Sequence, residues 1–303
     1  MNQCTDKCSN FPHEHIEGEH LVQSYIDKIM KDSRIWDIHG INVPWFRGQT
    51  DAKQSLLPAV FRKEKVKENG RYIEKGKYDE FWLTTTFRNR APSFGETPED
   101  REALDKWLFL MQHIGIPTRL LDWTESALAA LYFAVNDQTR DTNPAVWMIN
   151  PVALNHISLG INEDLDKDKL KSNEDCFPNT WTPKRRSYEN IRLAFKHPSE
   201  KQEEYSPSEK PIAIQLTYCH PRMSAQKGCF TVHGTNENGF EEIFNERSKL
   251  VTENYLKKYI IFRKSVPQIY EELKTLGITP SSIFPDLYGL AKELEERFWY
   301  KEN

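Results

Sequence analysis

The chain has 303 residues, enough for one large domain with a sizeable core, and no apolar run approaches the roughly 18 residues of a membrane-spanning helix. Asp and Glu outnumber Lys and Arg by 45 to 41, and the net charge of −4 excludes a global basic footprint for nucleic acid. Five cysteines do not make a disulfide framework, and the N-terminus lacks the basic start and apolar centre of a secretory signal, so a cytoplasmic protein without a membrane partner is expected.

In chain order, residues 1–20 read as a flexible leader. Cys4, Cys8, His13, His15 and His20 are zinc-ligand types, but the H-x-H spacing departs from the usual H-x3–5-H, and no metal is predicted. His20 to Arg34 predicts an amphipathic helix carrying Leu21, Val22, Tyr25, Ile26, Ile29 and Met30 at i, i+3/i+4 spacing. Residues 43–49, VPWFRGQ, predict a strand running into a turn, with Gly48 admitting a conformation or close approach that a side chain forbids. Glu68 to Leu83, with Tyr72, Tyr78, Phe81 and Trp82, predicts a helix broken near Gly76. Thr97 to His113 predicts a helix with Leu104, Trp107, Leu108 and Met111 on one face. The basic pieces Lys63/Lys65/Lys67 and Lys184/Arg185/Arg186 lie in polar connectors and read as solvated surface.

Gln112 to Val135, QHIGIPTRLLDWTESALAALYFAV, reads as a polar turn followed by a buried helix. Gln112, His113, Thr118, Arg119, Asp122, Trp123 and Thr124 crowd a segment where a helix entry needs a single cap, so the cluster either binds a polar ligand or forms a capping network. Further on, Ala145–Ile149, Ile212–Leu216, Cys229–His233 and Tyr259–Phe262 predict strands. Residues 155–209 are polar and read as a long surface excursion. Ile243 to Glu253 fits a helix or a strand with a turn. Val266–Leu276 predicts a helix stopped at Gly277, and residues 283–300 a last amphipathic helix capped by Asp286. Helices precede most strands, which predicts an α+β domain over 21–300: a mixed or antiparallel central sheet with helices packed on it.

Trp45-Phe46-Arg47-Gly48-Gln49, the block Gln112-His113 through Pro117-Thr118-Arg119-Leu120-Leu121-Asp122-Trp123-Thr124, and the Ala-rich segment to Phe133-Ala134 together resemble the FRG domain. That bacterial and phage-associated family is named for its Phe-Arg-Gly motif. Arg222-x3-Gln226-x-Gly228-x-Phe230 and Ile283-Phe284-Pro285-Asp286-Leu287 are similar to its later blocks. The family is distantly similar to ADP-ribosyltransferase folds, which implies an NAD site. Arg47-Gly48 would open it, Thr118 or Thr124 would supply its second position, and Gln226 falls near the third. There Gln cannot provide the negative charge that an oxocarbenium-like transition state requires, unless Glu241 or Glu242 replaces it.

On this resemblance Arg47, Gly48, Gln49, Arg119, Asp122, Trp123 and Thr124 would hold a nucleotide-like ligand, and His113, Thr118 and Gln226 would be catalytic. Arg47 suits a diphosphate because its planar fork makes paired, charge-assisted hydrogen bonds; its alternative is a pair with Asp122. Arg119 has the same choice, with Asp122 or a carbonyl as structural partner. Trp123 would stack on a base or sit in the core. Two readings follow. One is an NAD-using transferase or hydrolase acting as a toxin or anti-phage effector, with a protein or nucleic-acid acceptor. The other is a non-catalytic nucleotide-binding sensor. A metal nuclease would need a carboxylate cluster, and the upstream motifs offer Asp122 and Glu125 alone.

Overall fold

Short runs of β-branched and aromatic residues separated by turn-forming segments dictate a sheet, and buried helices close its faces. In a computed structural model of the chain, the described residues are 11–34, 36, 44–68, 71–75, 78–98, 100–160, 186–197, 199, 207–215 and 221–299. Their strands are β1 (Glu14–Ile16), β2 (Trp45–Gln49), β3 (Glu64–Glu68), β4 (Arg71–Lys75), β5 (Leu120–Thr124), β6 (Ala145–Ile149), β7 (Ile212–Ile214), β8 (Gly228–Val232) and β9 (Leu256–Ile261). Seven of them form one mixed sheet in the order β1-β9-β6-β2-β5-β8-β7, and β3 and β4 pair separately. Only β1 and β9 run parallel among the described pairs. The α+β architecture with a mixed central sheet is therefore present.

The helices are α1 (Leu21–Arg34), α2 (Glu80–Arg90), α3 (Leu104–His113), α4 (Ala127–Val135), α5 (Pro151–Leu159), α6 (Arg186–Leu193), α7 (Pro221–Gln226), α8 (Phe240–Ile243), α9 (Lys249–Thr252), α10 (Val266–Thr275), α11 (Pro280–Ile283) and α12 (Leu287–Phe298). The larger core gathers Tyr25 of α1, Tyr132 of α4, Trp147 of β6, Tyr259 of β9 and Ile269 of α10. A smaller core joins Leu108 and Phe109 of α3, Ile191 of α6, and Leu120, Ile212, Phe230 and Val232 of β5, β7 and β8. No helix among the described residues is long and apolar enough to cross a membrane.

Several expectations are corrected. Residues 11–20 are not a loose leader, because Phe11 is buried and β1 pairs with β9; residues 1–10, with Cys4 and Cys8, lie outside the described residues. Residues 64–68 and 71–75 pair as strands β3 and β4 rather than forming a helix, and the helix there begins at Glu80 under an Asp79 cap, whose side chain accepts the Trp82 N–H at 3.1 Å. Helix α3 starts at Leu104, not Thr97. The span 155–209 carries α5 and α6, whose Asn155, His156, Ser158 and Ile191 are buried; residues 161–185 lie outside the described residues. Of the two alternatives for residues 243–253 the helix is the one present, but short: the span holds the last residue of α8 and the whole of α9.

The correction that matters most is Leu120–Thr124. It is no turn but an interior strand, buried at every position except Asp122. Its hydrophobic residues satisfy both cores, Leu120 the smaller and Leu121 and Trp123 the larger. Only afterwards, capped by the Ser126 hydroxyl, does α4 begin.

Strands β2 and β5 are neighbours with a single register pair, Phe46 opposite Thr124, whereas β2 shares five with β6 and β5 shares five with β8. The sheet therefore opens along the β2–β5 seam. A strand pair that separates leaves backbone groups without ladder partners, and those must be satisfied some other way. The candidate site lies at this seam.

Candidate functional site

Arg47, midway along β2, fills the opened seam. Its Nη1 donates to the Asp122 carbonyl of β5 at 2.7 Å and lies 3.7 Å from the Asp122 carboxylate. The side chain is 16 % exposed and its Nε, buried, meets no acceptor among the described residues. Burial pulls the Arg47 pKa below its ordinary value, against the opposing pull of Asp122. A guanidinium so stripped of water gains from an added anion.

Around it lies a cavity of about 440 Å³, within the size range of small-ligand sites. Its wall includes Arg62, whose Nε donates to the Leu57 carbonyl at 2.9 Å and whose pKa partial desolvation lowers, again opposed by Asp122. Arg222 closes another side, paired with Asp286 at 2.5 Å and 5.5 Å over the Phe284 ring. Asp286 also caps α12 through the Gly289 N–H, and that bond, followed by Arg222, lowers its pKa. Phe109 and Phe230, with ring centroids 5.7 Å apart, supply an apolar face. Asp122 is the only carboxylate among the lining residues.

Asp122 is held from the side by α3. Gln112 Nε2 donates to both carboxylate oxygens, at 3.0 and 2.9 Å, and Gln112 Oε1 accepts the Thr118 hydroxyl at 2.5 Å. The Asp122 side chain remains 56 % exposed. Thr118 is buried and also accepts the Leu120 N–H at 3.1 Å.

The expected site residues divide. Arg47, Gly48, Gln49, His113, Asp122, Trp123, Thr124 and Gln226 all belong to the cavity wall; Thr118 and Arg119 do not. Thr118 stands one residue behind it, reaching it through Gln112. Arg119 is turned away: it pairs with both oxygens of Glu80, donates to the His233 and Gly234 carbonyls at 3.1 Å, and lies over Phe61. Its structural partners are thus carbonyls, one of the two expected alternatives, together with Glu80, and not Asp122. Gly48 makes room for a helix, not a ligand, since a Cβ there would strike the Ala130 carbonyl and lie 2.6 Å from the Ala134 nitrogen of α4.

Gln49 spends its Oε1 on the Trp147 indole N–H at 2.7 Å. The Trp123 ring is buried beside Phe240 and donates to Thr231, so it is not a stacking platform. The Thr124 hydroxyl donates to the Gln226 carbonyl at 2.5 Å and accepts the Ser126 N–H. The Gln226 amide donates to the Ile283 carbonyl at 3.2 Å. Glu241 and Glu242, the alternative carboxylates, are absent from the wall; Glu241 instead accepts the Ser55 hydroxyl and the Leu56 N–H.

A family model for the FRG domain matches residues 42–143. The chain contains an FRG domain. Comparison with curated proteins and with solved structures returned no match. The FRG match contributes Arg47, Arg62, Gln112, His113 and Asp122 to the cavity, while Arg222, Gln226, Phe230 and Phe284 come from beyond it. Arg62 and Phe109 carry no sequence signal of a site role, Arg62 because it sits beside a basic run; Phe230 stands in the later FRG-like block, where the resemblance implies no role for its ring. Gln112 stands in the FRG block, but nothing in its spacing reveals that it grips Asp122.

Proposed function

We propose that the seam cavity binds a nucleotide-type ligand through its diphosphate, with NAD as the first candidate. The observation that carries this is the convergence of Arg47 and Arg62 on Asp122 inside a cavity that also has an aromatic wall. Desolvated guanidiniums favour phosphate oxygens, and the Phe109/Phe230 face suits a planar base. The distant similarity of FRG sequences to ADP-ribosyltransferases supports NAD over other nucleotides.

If the bound NAD is cleaved, its glycosidic bond breaks with both electrons leaving on nicotinamide. Asp122 is the wall group able to face the resulting oxocarbenium, and a water or a macromolecular nucleophile then adds and loses its proton. His113, at the end of α3, lines the cavity where such a proton could be taken up. A toxic or anti-phage role, and a protein or nucleic-acid acceptor, belong to this transfer reading. The sensor reading is favoured by a different observation: Asp122 is already bonded to Gln112, and the amide of Gln226 is tied to Ile283.

The test is calorimetric titration of the protein with NAD, with nicotinamide release followed in the same samples. Loss of one charge-assisted contact in Arg62→Ala is expected to weaken binding about tenfold. Release of nicotinamide marks an enzyme, and binding without release marks a sensor. A folded wild type that neither binds nor cleaves NAD rejects the proposal.

A further inference from the structure

Thr118, Gln112 and Asp122 form a chain of hydrogen bonds whose direction is fixed by donor and acceptor inventory. The Asp122 carboxylate can only accept, so the Gln112 NH2 turns to it and Gln112 Oε1 is left to accept the Thr118 hydroxyl proton, while the Thr118 oxygen accepts the Leu120 N–H at 3.1 Å. With its NH2 held by Asp122 and its oxygen by Thr118, the Gln112 amide cannot turn over. Thr118 is 1 % exposed, so no water competes for its hydroxyl. The chain ends at a carboxylate that still has open lone pairs and is half exposed to the cavity.

We infer that Asp122, aimed by Gln112 and Thr118, is a fixed acceptor for the vicinal hydroxyls of a ribose next to the diphosphate, and so selects ribonucleotides over sugars lacking that diol. This rests on the nucleotide reading above and adds the sugar to it. A carboxylate accepts and cannot donate, so it recognises a donor pair such as a diol. Its place beside the two guanidiniums sets the distance: the group bonded directly to a diphosphate is the sugar. A site built to hydrogen-bond a hydroxyl rejects the analogue lacking it, because the site's own polar group is then left unpaired. Asp122 is the group that binds; Gln112 and Thr118 are positioning residues that do not touch the ligand.

The experiment compares the affinities of ADP and 2′,3′-dideoxy-ADP for the wild type, Thr118→Val, Thr118→Ser and Gln112→Met. Expected is a wild-type preference for ADP of about tenfold or more, a preference close to one in Thr118→Val and Gln112→Met, and its retention in Thr118→Ser. Because the readout is a ratio, a general loss of affinity does not imitate it, and two variants at different places guard against one that fails to fold. Retention of the preference in both Thr118→Val and Gln112→Met overturns the inference, as does equal binding of the two nucleotides by the wild type. Either result leaves the nucleotide reading intact. A wild type that binds neither overturns both.

Discussion

Arg119 shows how a charged residue in a conspicuous motif can serve the fold. Every direction of its guanidinium is occupied, by Glu80, two carbonyls and the face of Phe61, and the Arg119 and Glu80 side chains are 7 % and 11 % exposed. Removing one partner of a buried pair leaves a charge without compensation, so Glu80→Gln is expected to cost about 3 kcal/mol or more in urea unfolding. The cavity lies elsewhere, so ligand affinity in that variant stays at the wild-type level. Arg47 looks equivalent to Arg119 in the sequence, and the fold alone separates them: Arg47 projects from a strand whose neighbour has moved away, Arg119 from one end of β5 towards α2. The Arg47–Asp122 pairing was legible, because a carboxylate in the same motif set invites it. Glu80 was not, since it lies 39 residues upstream in a segment read as the tail of a different helix.

At the scale of elements, β2 and α4 touch backbone to backbone through Gly48. Gly48→Ala puts a methyl group where the Ala130 carbonyl already is, and an overpacked interface of this kind costs about 1–3 kcal/mol. A fall in the denaturant midpoint at unchanged slope is the expected signature. Helix α4 itself was legible from ALAALYFAV, and β6 from the unbroken apolar run AVWMI. Strand β5 was hidden because five residues with an Asp at the centre and a Thr at the end, preceded by Thr118 and Arg119, carry the same polar marks as a cap. The β3–β4 pairing had a usable signal in Asn69-Gly70 between EKVKE and RYIEK, but aromatic spacing over 72–82 pointed to a helix. Local pattern thus competes with pairing partners that are distant in sequence, and in a sheet the partners decide.

Across the whole molecule, acid stability depends on histidines buried without a proton. His233 is fully buried between Phe61 and Phe240, and burial, with the nearby Arg119 charge, pushes its pKa down to about 3. His156 is buried as well, and its pKa is lowered by the same loss of water. The unfolded chain protonates these rings near the ordinary value of about 6.5, so below that pH it binds more protons than the native state. Stability is therefore full above about 6.5 and falls as the pH drops towards 3. In acid unfolding series, His233→Phe, which keeps the ring and removes the titration, is expected to flatten that slope. An unchanged slope would assign the acid sensitivity to other groups.

The opened seam also determines where this chain may be cut. The matched span 42–143 holds β2 and β5, yet β6, β8 and β9 all fall outside it, so an excised fragment would keep, besides the separate β3–β4 pairing, one cross-strand pair of the main sheet and lose the ten that flank it. Both central strands would become bare edges, the condition under which strands recruit other chains. The stretch that sequence similarity marks out is the middle of a sheet, and its natural boundaries are the strands that come after it.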